Sequence, residues 1–257
     1  MAVSATGKAP LTGQVAVISG GLGDIGRACA QALRAAGAAV ALSDVRPSTE
    51  AARRMPGYHY TRVDVTRPDA NAAWLKRVER DLGLPTLIFC NAAIVRPGTA
   101  LASTPALWQD TLDVNLSGAF YLAQAAARRL VAAKKPGRIV IVGSWAAHAP
   151  HGHIVAYSVA KAGLRMAMKC LAVELAPHGI LVNELAPGKV DAGLTAQLFA
   201  NDPSRRRRTQ RSIPTRTLLT ADDVAAGALQ LCDPANRHMT GSVLLMDGGL
   251  SAVLPGK

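Results

Sequence analysis

The run Ser19-Gly20-Gly21-Leu22-Gly23-Asp24-Ile25-Gly26 constrains this chain more than any other stretch. It follows an apolar segment, Gln14 to Ser19, and leads into an alanine-rich segment of helical character, Arg27 to Ala36. A strand that turns through glycines into a helix leaves that helix's free N–H groups and positive dipole facing a closely lined space. Such a space suits a pyrophosphate, because glycines let the backbone approach it. A second apolar strand, Ala39 to Ser43, ends in Asp44, about twenty residues past the turn. A carboxylate there can accept hydrogen bonds from ribose hydroxyls and would repel a 2′-phosphate.

The same alternation continues along the chain. Tyr58–Val63, Thr86–Cys90, Arg138–Val142, Ile180–Leu185 and Ser242–Met246 read as further strands. Ala70–Asp81, roughly Pro105–Ala133, the segment carrying Tyr157 to about Ala176, and Ala221–Cys232 read as helices. Short apolar strands alternating with amphipathic helices predict an α/β fold of three layers. The expectation is a doubly wound, mainly parallel seven-stranded sheet with helices on both faces. With 257 residues, 49% of them hydrophobic, the chain can bury one sizeable core, so residues 1–257 read as a single domain. Residues 1–10 read as a flexible polar tail. Residues 192–216 interrupt the rhythm with prolines, an arginine run and no clear core stripe, and read as a lid on the substrate side.

Net charge is +12, which raises nucleic acid, lipid and anionic substrates as partners. The basic residues are mostly scattered, however, and the Arg205–Arg208 run lacks the interleaved aromatics of a nucleic-acid surface. No nucleic-acid partner is expected. No apolar run reaches the ~18 residues of a membrane span, and residues 1–10 lack the apolar core of a signal peptide. Cys29, Cys90, Cys170 and Cys232 are far apart, with no C-x-x-C spacing, and read as reduced thiols rather than metal ligands. The expectation is a soluble, cytoplasmic chain with no metal.

Tyr157-Ser158-Val159-Ala160-Lys161 places a phenol and an ammonium four residues apart, on one face of a helix. A neighbouring cation favours a phenolate, and a phenol whose pKa is lowered toward neutrality is a general base for alcohol oxidation. Ser144 lies thirteen residues upstream of Tyr157, just past a strand end.

Taken together these motifs resemble the short-chain dehydrogenase/reductase family, single-domain branch, over essentially the whole chain. The family's glycine-rich cofactor loop falls on Ser19, Gly20, Asp24 and Gly26, with Ser for Thr and Asp for the middle Gly. Its Asp-Val pair falls on Asp64-Val65, and its Asn-Ala-Gly on Asn91-Ala92-Ala93 with Ala for Gly. Its helix Asn falls on Asn115, its Ser-Tyr-Lys on Ser144, Tyr157 and Lys161, and its Pro-Gly on Pro187-Gly188. The Thr that usually follows is Ala192 here, which removes one hydrogen bond on the nicotinamide side.

The resemblance implies that Gly20, Leu22, Gly23, Asp24, Ile25, Gly26, Asp44, Asp64, Val65, Asn91, Ala92, Ala93, Tyr157, Lys161, Pro187, Gly188 and Val190 bind the cofactor. With Asp44 beside the ribose, that cofactor is expected to be NAD. Asn115, Ser144, Tyr157 and Lys161 are implied as catalytic. Tyr157 takes the hydroxyl proton as hydride moves to nicotinamide, Lys161 lowers the phenol pKa and holds the ribose, and Ser144 holds the substrate oxygen. In the family the Asn115 position distorts its helix and holds a water that links Lys161 to solvent. Substrate-side positions of the family fall on Arg96, Ser144, His151, Tyr157 and Lys189, and these basic groups point to a small polar substrate: a sugar, polyol or hydroxy acid. The alternatives are a reductase of 3-oxoacyl thioesters and, from another class, a non-catalytic dinucleotide-binding regulator. Family members commonly pair through the Asn115 and Tyr157 helices and through the last strand, so a homotetramer is expected.

Overall fold

Alternate residues of each central strand serve opposite faces of one sheet. In the computed structural model, which describes residues 9–253 apart from 194, 195, 197, 198 and 201, seven strands are all parallel. Residues 1–8 of the expected tail lie outside the described residues. The strands are β1 (Val15–Ser19), β2 (Ala39–Asp44), β3 (His59–Arg62), β4 (Leu87–Cys90), β5 (Gly137–Val142), β6 (Ile180–Pro187) and β7 (Val243–Met246), in the order β3-β2-β1-β4-β5-β6-β7. The sheet is therefore wholly parallel, where the alternation alone predicted only mainly parallel.

The helices are α1 (Asp24–Ala35), α2 (Ser48–Arg54), α3 (Pro68–Leu82), α4 (Pro105–Leu112), α5 (Ala119–Ala132), α6 (Val155–Leu175), α7 (Pro203–Ser212) and α8 (Ala221–Cys232). Ala16 and Ile18 of β1, Phe89 of β4 and Val140 of β5 join Leu33 of α1 and Leu231 of α8 in one buried cluster. Val17, Ile88 and Ile141, their neighbours along the strands, join Leu75 of α3, Leu122 of α5 and Met168 of α6 in the other. The period of two along a strand thus produces two cores, one on each face.

Strand order reverses between β1 and β4, and the chain leaves both strands at the same edge. In an open parallel sheet such a switch point opens a crevice at the carboxyl ends of the strands. Ser19, Asp44, Asn91, Ser144 and Pro187 all lie at or just beyond strand carboxyl ends along this edge.

Three segments depart from the periodicity reading, the first in the way the family resemblance implies for the Asn115 position. The long helix over 105–133 is broken in the middle by a π-helical stretch, Asp113–Gly118. The cause is Asn115, whose Nδ2 donates to the Thr111 carbonyl at 2.9 Å. In an α-helix that carbonyl would accept the backbone N–H of residue 115. The lid region is not wholly irregular either. α7 lies within it, its N-terminus capped by the Asp202 carboxylate, which accepts from Arg205 N. Buried Phe199 and Ile213 anchor the segment on either side, a pattern too sparse to read as a stripe. The short helix α2 was also absent from the sequence reading.

The turn from β1 to α1 has no room for side chains at its glycines. Gly20 has φ +63°, and a Cβ there would stand 2.8 Å from the Ala92 Cα. A Cβ on Gly26 would collide with the Gly20 carbonyl and lie 2.9 Å from the Gly21 Cα. Gly26→Ala is therefore expected to cost about 1–3 kcal/mol, lowering the thermal midpoint by roughly 3–10 °C. Calorimetry that finds the midpoint unchanged would contradict this account of the turn.

Candidate active site

The crevice begins with a network that joins β1 to β4. The Ser19 Oγ accepts from the backbone N–H groups of Asn91 and Ala92, both at 3.1 Å. Asn91 Nδ2 donates to the Ser19 and Gly20 carbonyls at 2.9 and 3.1 Å. Asn91 and Ala92 thus hold the glycine turn in shape, and exposed Ala93 continues out of the strand. The N-cap of α1 is Gly23, in extended backbone and without a side-chain cap, so the first-turn N–H groups of Asp24 and Ile25 remain available. An uncapped helix end behind a tight glycine turn fits a dinucleotide pyrophosphate. Asp24, standing where the family pattern has glycine, is held by Arg27 at 2.7 Å and accepts from Gly193 N at 2.7 Å. Its carboxyl is drawn below its ordinary value, mainly by the Arg27 hydrogen bond.

At the carboxyl end of β2, buried Asp44 accepts from the backbone N–H of buried Leu22 at 3.2 Å and of Arg46 at 3.3 Å. A carboxylate has about four acceptor sites, so at most two remain for hydroxyls, with the Arg46 Nε 3.5 Å from one oxygen. Two guanidinium groups stand beside it: Arg46 and Arg54 each donate to the Leu22 carbonyl at 3.1 Å. Both also reach Glu50, at 3.3 and 3.0 Å, which offsets their charge. Asp64 is exposed and bonds its own turn through Thr66, whereas buried Val65 lies against Gly118.

At the other end of the crevice, β5 delivers Ser144 and α6 delivers Tyr157 and Lys161. The Ser144 Oγ accepts from Ala146 N at 3.1 Å, and its single O–H is left to donate toward the Tyr157 phenol oxygen. The Lys161 ammonium lies 5.6 Å from the Tyr157 ring centroid, as the four-residue spacing predicts. It donates to the Val142 carbonyl at 2.7 Å and is almost fully buried. Asn115 is completely buried, and its amide pairs with both main-chain groups of Ile94. One expectation is not met by these protein groups. The Tyr157 phenol is held above its ordinary value by burial, which outweighs the Ser144 hydrogen bond that lowers it. Lys161 adds no resolved lowering, and its ammonium donates to the Val142 carbonyl.

A family model described as Enoyl-(Acyl carrier protein) reductase matches residues 12–251. The chain belongs to the short-chain dehydrogenase/reductase family. The 3beta-hydroxysteroid dehydrogenase 1 of Eggerthella lenta is 38% identical over 56% of this chain, a match covering 55% of that protein. The cis-4-hydroxycyclohexanecarboxylate dehydrogenase of Sinomonas cyclohexanicum is 32% identical over 93% of this chain and 97% of that protein. A solved gluconate 5-dehydrogenase from Burkholderia cenocepacia J2315, in complex with NADP and tartrate, superposes with a TM-score of 0.88 at 28% identity. The match covers 96% of this chain and 98% of that one. The chain is thus an oxidoreductase of a family that uses nicotinamide cofactors.

This short-chain dehydrogenase/reductase carries a buried ion pair that the sequence reading missed. Arg165 donates to both Glu184 carboxylate oxygens, at 2.6 and 2.8 Å, and to the Ser144 carbonyl at 3.3 Å. Both signals were present. Arg165 continues the four-residue row of Tyr157 and Lys161, and Glu184 is an acid inside an apolar strand. A Cβ on Gly143 would fall on the Glu184 carboxylate, so glycine there makes the space for it. The Glu184 charge also supports the Lys161 ammonium against its burial.

Pro187 is buried, and Gly188 donates to the Met246 carbonyl at 2.7 Å, so β7 holds the main chain where it leads into the site. Val190 is buried and bridges to Leu219. Of the expected substrate-side cations, Lys189 and His151 meet at Trp145. Arg96 does not join them; its exposed guanidinium lies 3.6 Å from Asp110. Among the described residues, no group of three or more His, Cys, Asp or Glu is placed to hold a metal. No described helix is long and apolar enough to cross a membrane.

Burial brings the Lys161 ammonium down to about 8. Free lysine titrates near ~10.4, so between these values the unfolded chain binds more protons than the folded one. Stability contributed through this group therefore rises with pH across that window. The unfolding free energy of the native chain minus that of Lys161→Met is expected to grow by about 1–3 kcal/mol from about pH 8 to about pH 10. Urea titrations that give a constant difference would refute it.

Proposed function

We propose that this chain is an NAD-dependent oxidoreductase that acts on a secondary alcohol or the corresponding ketone of a small polar substrate, such as a sugar, polyol or hydroxy acid. The observation that carries the reading is the joint placement of Ser144, Tyr157 and Lys161 at neighbouring element ends beside the crevice, with Lys189 and His151 close by. A bound nicotinamide would accept or donate the hydride. The Tyr157 phenol oxygen exchanges the proton with the substrate oxygen, and the O–H of Ser144 donates to that same oxygen and sets its distance. Lys161 keeps a positive charge under the phenol, supported by Glu184. Asn115 holds the π-helical stretch and the loop at Ile94 in register behind them. The preference for NAD follows from Asp44, a buried carboxylate where a 2′-phosphate would add a second negative charge.

The test is turnover of sugars, polyols, hydroxy acids and acyl thioesters with both cofactors. The native chain is expected to favour a polar alcohol with NAD in kcat/KM, and Tyr157→Phe to lose about 10²–10⁴-fold in turnover while still binding cofactor. Best activity on acyl thioesters, or substantial activity in Tyr157→Phe, would overturn the proposal.

The assembly we propose is a homotetramer. Val159, Met166 and Val173, seven residues apart along α6, are 44%, 60% and 79% exposed, an apolar stripe that the chain's own sheet does not cover. The free cysteines Cys29, Cys90, Cys170 and Cys232 fit a reducing compartment such as the cytoplasm. Light scattering is expected to give about four times the chain mass. A stable single chain at micromolar concentration would contradict it.

A further inference from the structure

Two neighbouring strand ends deliver an aromatic ring and an ammonium to one place. Trp145 follows Ser144 off β5, and Lys189 follows Pro187-Gly188 off β6, the strands being paired in register from Gly137–Ile180 to Val142–Leu185. The Lys189 Nζ lies 5.7 Å from the Trp145 ring centroid, and the His151 ring meets Trp145 edge to face at 4.4 Å. The main chain pins Lys189: its carbonyl accepts from Leu219 N at 3.1 Å, and Asp191 N donates to the Leu219 carbonyl at 2.7 Å.

Among the described residues this ammonium has no acid to answer it. Asp191, two residues on, is spent on Arg206 at 2.6 Å. Among the described residues Lys189 forms no ion pair, and its hydrogen bond goes to the Ser212 Oγ of α7 at 3.0 Å. An ammonium has three N–H donors, so two remain. Burial alone pushes its pKa below the ordinary value, with no carboxylate to raise it. A half-buried cation fixed by main-chain bonds and left without a counter-charge costs stability unless an anion completes it. Burial holds the His151 pKa below its ordinary value, against the opposing Ala149 hydrogen bond, and the ring Nδ1 lies 2.7 Å from the Ala149 carbonyl.

We propose that Lys189, with Trp145 and His151 beside it, forms a subsite for the carboxylate of a hydroxy acid whose carbinol lies at Ser144 and Tyr157. The proposal rests on the dehydrogenase reading above and narrows its substrate class. A single ammonium, without an arginine fork or a helix end, suits a monoanion. Trp145 adjoins Ser144 in the chain, and small hydroxy acids and sugar acids carry an acid and a carbinol within one short molecule.

The experiment compares D-gluconate, 3-hydroxybutyrate and 4-hydroxycyclohexanecarboxylate, each with its primary amide, on the chain saturated with nicotinamide cofactor. Binding is read by calorimetry and turnover by kcat/KM. At least one acid is expected to bind about ten- to hundred-fold more tightly than its amide. Lys189→Met should bring that ratio near one, chiefly through KM, and Lys189→Arg should restore most of it. Equal binding of acids and amides by the native chain, or a ratio that survives in Lys189→Met, overturns the subsite. Acid binding that depends on Lys189 without turnover of any alcohol supports the subsite and sinks the dehydrogenase reading. Turnover of neutral alcohols with no advantage for any acid does the reverse.

Discussion

A wholly parallel sheet sends every strand in one direction, so each β-to-α turn emerges at the same edge. That constraint organises the molecule. Successive strands need a crossover between them, and helices fill that role on both faces, burying two separate cores. Where the order reverses between β1 and β4, the crossovers part to opposite faces and leave a crevice. The site residues come from distant parts of the chain, and the edge alone brings them together. Ser19 and Asn91 are far apart in sequence, yet Asn91 holds the glycine turn through three hydrogen bonds with Ser19 and Gly20.

Charge burial is the second theme, and it is concentrated along this edge. Asp44, Lys161 and Glu184 are all buried, an expensive arrangement unless each finds a partner. Asp44 finds backbone N–H groups and Arg46, Lys161 finds the Val142 carbonyl, and Glu184 finds the guanidinium of Arg165. The Arg165–Glu184 pair lies directly behind Ser144 and Lys161. It holds the Ser144 main chain with one N–H and supplies negative charge toward the ammonium with the carboxylate. Lys189 is the exception in this series, and the lack of a counter-charge among the described residues singles it out.

Much of this was legible in the chain itself. Strands announce themselves as short apolar runs, and the seven strands and most helices fall within a few residues of where that pattern puts them. The glycine turn, the Tyr157–Lys161 spacing and Ser144 were readable because each depends on local geometry. The π-helical stretch at Asn115 was not readable from periodicity, because its cause is a side chain competing for the Thr111 carbonyl while bonding a distant loop at Ile94. α7 was missed because an arginine-rich helix with little buried surface leaves no apolar stripe.

By itself the sequence determined the layer architecture, the glycine turn and the spacing of Tyr157 and Lys161, all of which follow from the pattern along one element or one turn. Only the tertiary structure decided how those groups are charged and paired. The same Lys161 that four-residue spacing sets beside Tyr157 donates its hydrogen bond to a carbonyl on β5, and burial holds the phenol above its ordinary value. Arg96, equal to Lys189 as a basic residue after a strand end, turns out to face Asp110 and solvent, whereas Lys189 is drawn under Trp145. Desolvation and partner choice depend on every element packed around a side chain, and residues remote in sequence supply those elements.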